Sequence, residues 1–175
     1  MLILIYFNQT LRLALGLTLK YLLMVKNEIE PQSATPIIAN VLLPYSLKFF
    51  YGIIADSMPI FGSTRKSYLF LFSMIQLITS VIASFYMESN YMVVCVCGFF
   101  ISLSLSFMDV VTDGILVNQQ KLDQVRGSED LQLYAWGSFT LGGFLSVYIA
   151  GVVLDMEKPV YVTIILAAFS LLIFA

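Results

Sequence analysis

The chain has 175 residues, 59% of them hydrophobic and 11% charged, with a formal net charge of −2. A soluble domain of this size has too little interior to hide so much apolar side chain, and the near-neutral balance gives no footing for a nucleic-acid partner. There is no histidine, and the two cysteines, Cys95 and Cys97, sit inside an apolar run where a small buried hydrophobe is the ordinary role, so no metal site, cofactor or disulfide framework is expected.

An all-α membrane protein in a lipid bilayer is the expected class. Runs such as Val81–Phe85 and Thr163–Ala168 do not alternate polar with apolar, as strands of a membrane barrel would. A spanning helix takes about 20 mainly apolar residues, and charges and turn residues divide the chain into six such segments. The first runs from about Ile3 to Met24. It lacks a basic leader and a small-residue cleavage site, and Arg12 interrupts its apolar core, so it is expected to remain as a helix. The second runs from Ala34 to Ala55 and contains Pro44, which removes a backbone hydrogen bond and predicts a kink. Beyond the Asp56–Lys66 turn the third covers Ser67 to Met87, and the fourth Tyr91 to Val117. The fifth, Leu131 to Leu154, opens near Trp136, an expected interfacial anchor. The sixth runs from Val160 to Ala175.

All five connections are short, so neighbouring helices are expected to be antiparallel, in a single bundle over residues 1–175. Arg65 and Lys66 lie in the second connection, Lys121 and Arg126 in the fourth. The first has Lys26 with Glu28 and Glu30, the third Glu88, the fifth Lys158 with Asp155 and Glu157. The positive-inside rule then puts the second and fourth connections and the N-terminus in the cytoplasm. After Lys158 the chain is uncharged to Ala175, without a polar flank; the expectation is the front part of a longer polypeptide or a truncated gene.

Charges inside the spans are the candidates for chemistry, because each costs roughly 2.5–3.5 kcal/mol at a helix centre. Arg12 and Lys20 lie in the first segment, Lys48 in the second, Asp109 and Asp113 in the fourth. The two aspartates are one helical turn apart on a shared face, where both cannot comfortably be ionised. One reading is a substrate or proton pathway lined by Asp109 and Asp113, with Lys48 or Arg12 as counter-ion or anion clamp. The other makes Asp109–Lys48 a structural ion pair and has Asp113 help end its helix near the interface. Lys20 is expected to snorkel to the outer interface, while Arg12 faces a cavity. Gly142, Ser146 and Ala150, with Gly143 and Gly151 alongside, form a strip of small residues for close helix packing, or a sliding face between two halves. Asp56 ends a helix, where a carboxylate opposes the backbone dipole and needs a partner. Gly52 allows close approach, and Arg65 and Lys66 open the next helix; the turn is either a gating element or a solvated loop that sets topology.

Gly52-x-x-x-Asp56 followed by Gly62-x-x-Arg65-Lys66 resembles the signature loop of the major facilitator superfamily. With Pro59, Ile60 and Phe61 ahead of Gly62, it is similar to the folate–biopterin transporter family. Pro44-x-x-x-Lys48, Asp109-x-x-x-Asp113-Gly114, and Asp130-Leu131 leading to Trp136 and Gly142-Gly143 agree with it. Tyr45 stands where that family often has tryptophan and Phe49 where it often has proline, while Ser63 and Thr64 replace an aromatic and a basic residue. The resemblance implies the N-terminal half of a twelve-helix carrier that moves folates or pterins by alternating access, often with protons. The resemblance also implies that the C-terminal six-helix half, where the usual partner of Asp56 would lie, is missing here. The rival expectation is a non-transporting six-helix membrane protein, either a degenerate fragment or an accessory subunit. An enzyme is the least expected class, since no nucleophile–base arrangement appears.

Overall fold

A computed structural model describes residues 2–58, 65–121 and 127–174, and every regular element among them is helical. In lipid the backbone must satisfy its own hydrogen bonds, which an apolar helix does within one segment. The helices are α1 (Leu2–Lys20), α2 (Pro31–Leu42), α3 (Lys48–Ser57), α4 (Lys66–Tyr86), α5 (Tyr91–Gln120), α6 (Gly127–Asp155) and α7 (Val160–Phe174). Four stretches among the described residues are long and apolar enough to cross a membrane: Pro31–Ser57, Lys66–Tyr86, Tyr91–Gln120 and Glu129–Asp155.

Local chemistry sets the boundaries. α1 widens into a π-helical segment, Tyr21–Lys26, closed where the Asn27 side-chain amide donates to the Leu22 carbonyl at 2.6 Å. Pro31 opens α2, where its missing N–H is no loss. Asn90 caps α5 by accepting from the Met92 and Val93 amides at 3.0 and 3.4 Å. Glu129 and Asp130 lie in the first turn of α6, where acidic groups suit the helix dipole.

The second expected segment is not one helix. Pro44 has no N–H for the α-helical ladder, and the Leu43 N–H bonds the Asn40 carbonyl three residues back. Leu43–Leu47 accordingly tightens into a 3-10 turn between α2 and α3. A 3-10 turn eclipses residues three apart, which brings Tyr45 and Lys48 to one side. The expectation that Asp113 helps end its helix is also corrected. α5 continues to Gln120, a further seven residues by the numbering, because Ile115, Leu116 and Val117 keep the stretch apolar.

α5 is the most buried of the four long stretches and the hub of the bundle. α1 packs against α6 and α5, while α4 packs against α5 and α7. Phe107 on α5 gathers Tyr51, Tyr68 and Phe72 at ring separations of 5.2, 5.1 and 4.1 Å, binding α3 and α4 to the hub. Polar contacts add specificity: Asn8 and Gln76 exchange two hydrogen bonds of 3.0 Å between α1 and α4, and Ser84 meets Thr163 at 2.8 Å between α4 and α7. Large apolar side chains such as Phe49, Phe85 and Phe144 point outward. An outer shell of that kind suits acyl chains, and the protein is an integral, multi-pass membrane protein.

Candidate functional site

A cavity of about 210 Å³ opens between α1, the Pro44 turn, α5 and α6. Tyr6 and Gln9 come from α1, Tyr45 and Lys48 from the turn and the start of α3, Asp109 and Asp113 from α5, and Trp136 and Phe139 from α6. Asp109 is its electrostatic centre. At 5% exposure it is nearly enclosed, and its carboxylate takes both the Lys48 ammonium and the Tyr45 hydroxyl, the latter at 3.2 Å. Asp113, one turn along α5 and exposed to the cavity, accepts from the Tyr6 hydroxyl at 2.9 Å.

Tyr45 is the junction of the site. The Lys48 ammonium lies 3.7 Å from its ring centroid and the Arg12 guanidinium 3.6 Å, so one ring face system serves two cations while its hydroxyl serves Asp109. Such contacts are worth about 0.5–2 kcal/mol each, more as water is excluded. Arg12 does not line the Asp109 cavity. It borders a neighbouring space of about 320 Å³ with Lys20, Gly16 and Val147, and meets the aspartate site through the tyrosine ring. The arrangement can hold an anion against Lys48 or a proton on a carboxylate, and Trp136 and Phe139 in its wall offer aromatic side chains for a planar ring.

The residues of the expected gating loop divide. Asp56 and Arg65 approach at 3.4 Å on the surface, and the same guanidinium donates to the Gly114 carbonyl on α5. A Cβ at Gly114 would lie 3.1 Å from the Arg65 Cζ, so glycine leaves the room this contact needs. A Cβ on Gly52 would sit 3.6 Å from Val110, an ordinary contact between α3 and α5. Lys66 is exposed at the start of α4, and Gly62 lies outside the described residues.

The small-residue strip faces α1. A Cβ on Gly142 would meet Thr10 Oγ1 at 2.7 Å and Phe7 Cα at 3.3 Å, and Ser146 donates to the Thr10 carbonyl at 3.1 Å. Gly143 approaches Leu13, and Ala150 packs with Ala14 and Val162. Sequence reasoning left Tyr6 and Gln9 out of the site and took Tyr45 only as a departure from the family pattern; Trp136, expected as an interfacial anchor, is 67% exposed and also lines the cavity. Tyr45 carried a usable signal, since it follows a helix-breaking proline and precedes Lys48 by three residues. Gln9 carried a weaker one, an amide in an apolar segment.

Comparison with known proteins places the chain among relatives. The model of the BT1 family matches residues 11–175. The folate-biopterin transporter of Synechocystis sp. is 27% identical over 168 residues, which cover 96% of this chain and 34% of that protein. Folate transporter 2 of Plasmodium falciparum is 27% identical over 158 residues, covering 90% of this chain and 34% of its own length. The chain spans about a third of the length of these curated relatives, which are named as transporters, not enzymes. No solved structure matches the chain.

Proposed function

The chain belongs to the BT1 family, and from that premise we propose that it forms one half of a secondary carrier for folate- or pterin-like anions, working by alternating access. The relatives' names supply the substrate class, and the Lys48–Asp109 pair at the cavity wall carries the reading. In this reading the chain is a single N-terminal bundle of six spans in the manner of the major facilitator superfamily. The spans are 2–26, 31–57, α4, α5, α6 and α7, with the N-terminus and the Arg65 and Lys121 ends in the cytoplasm.

Small-molecule sites usually enclose about 300–1,000 Å³. The 210 Å³ cavity fits a portion of a folate-sized ligand, with a facing six-helix bundle supplying the remainder. Asp109 and an anionic substrate compete for Lys48. A proton taken up by Asp109 weakens its hold on the ammonium, which is then free to receive a carboxylate of the ligand. The Asp109 carboxyl can alternatively accept donors from an aminopyrimidine edge. Asp113, held by Tyr6, is the second proton position one turn away. Asp56, Arg65 and the Gly114 carbonyl form the cytoplasmic clamp, so that opening that side breaks the Arg65 contact with α5.

The test is uptake of labelled folate into proteoliposomes carrying the complete protein under an imposed pH gradient. Asp109→Asn and Lys48→Met should each abolish most of the uptake while the protein remains folded in the membrane. Uptake equal to wild type in both variants would sink the proposal.

A further inference from the structure

We propose that Gln9 is a specificity-determining residue of the Asp109 cavity, reading the lactam edge of a heteroaromatic ligand with its side-chain amide. The inference rests on the transport reading above and states what the site discriminates. Gln9 is 1% exposed and stands in the cavity wall, yet neither its amide nitrogen nor its amide oxygen has a hydrogen-bond partner. Its neighbours on α1 behave differently. Tyr6 donates to Asp113 at 2.9 Å, Asn8 closes its reciprocal pair with Gln76, and Thr10 donates to the Phe7 carbonyl at 2.6 Å.

Buried polar groups are ordinarily paired, because an idle donor or acceptor keeps its desolvation cost and gains nothing. Methionine has nearly the same length and shape as glutamine, so an apolar wall could be built here without that cost. The other buried polar side chains of the wall are already engaged: Asp109 holds Lys48 and Tyr45, and Tyr6 holds Asp113. Gln9 therefore keeps both ends of its amide, each covered, free of a protein partner and available to a ligand that draws the side chain toward the cavity. An amide presents an N–H donor and a carbonyl acceptor side by side in one plane. The matching edge is the lactam edge, whose ring N–H meets the Gln9 oxygen and whose carbonyl meets the Gln9 nitrogen. A carboxylate or phosphate lacks the donor half and would leave the Gln9 oxygen idle.

The experiment measures equilibrium binding of pterin and of 3-methylpterin, whose lactam N–H is blocked, to the complete protein in lipid nanodiscs. Wild type should prefer pterin by about tenfold, the worth of one well-made hydrogen bond. Gln9→Met should bring the two affinities together and raise the thermal midpoint of the ligand-free protein, since it removes an unpaired amide. Gln9→Asn keeps the amide but draws it back by one methylene, and should lose the preference too; it serves if Gln9→Met fails to fold. A preference unchanged in either folded variant overturns the inference, and so does a lowered midpoint with unchanged preference, the mark of a purely structural glutamine. Equal binding of both compounds by wild type overturns this inference alone. Binding of neither overturns it together with the transport reading.

Discussion

Asp109 and Lys48 show what a buried charge costs and what it can do. Asp109 is almost enclosed while Lys48 keeps 31% of its side chain exposed, so the two ends of the pair are unequal. Removing the ammonium strands a carboxylate that cannot reach water, whereas removing the carboxylate leaves an ammonium that can. Breaking a buried pair from one side typically costs about 3–5 kcal/mol. Lys48→Met should approach that loss, Asp109→Asn should cost less, and the double variant should recover part of the Lys48→Met deficit. Thermal or denaturant unfolding of the four proteins in detergent measures the cycle. Additive losses would show that the pair contributes no coupling and that Tyr45 alone holds the carboxylate.

Among the elements, the α1–α6 contact depends on small side chains in one row. Gly142 lets α6 approach until a Cβ would strike the Thr10 hydroxyl and the Phe7 ring and sit tightly, at 3.3 Å, against the Phe7 Cα, a backbone atom that cannot swing aside as a side-chain end could. Gly142→Val should therefore destabilise the bundle by about 1–3 kcal/mol through overpacking. Gly137→Val, at a position where a Cβ meets nothing within 4 Å, should be nearly silent. Midpoint shifts of the two variants in the same detergent make the comparison, and equal shifts would contradict the packing account. The Pro44 turn is the other element that matters to the site. It converts a break in the helical ladder into the alignment of Tyr45 with Lys48, and from there into the shared grip on Asp109.

For the whole molecule, the proposed orientation rests on where the bases lie. Arg65 bonds both Asp56 and the α5 carbonyl of Gly114, so the end of α3, the start of α4 and the last turns of α5 share one end of the bundle. In the proposed orientation that end lies in the cytoplasm, as the positive-inside rule expects. Single cysteines at Lys66 and Lys121 should react with a membrane-impermeant thiol reagent only after permeabilisation of intact cells. Cysteine at Glu88 or Lys158 should react before it. The native Cys95 and Cys97 are buried and give a low background. The reverse pattern would invert the topology and move the Arg65 clamp to the outer gate.

Sequence alone determined that the chain lives in a bilayer, roughly where its long helices run, which charges lie within them, and to which family the Lys48–Tyr68 stretch points. These properties depend on composition along one segment, because insertion into lipid rewards apolar runs and penalises charges locally. Tertiary structure decided which charge meets which. Lys48 and Asp109 are 61 residues apart, Tyr6 and Asp113 are 107 apart, and nothing local to either residue of a pair names its partner. It also turned Pro44 from an expected kink into a 3-10 turn, set Arg12 in a neighbouring cavity, and left Gln9 buried without a partner. Hydrogen-bond satisfaction is a property of the packed bundle, where α5 and α6 either bring a complementary group to α1 or leave the place open.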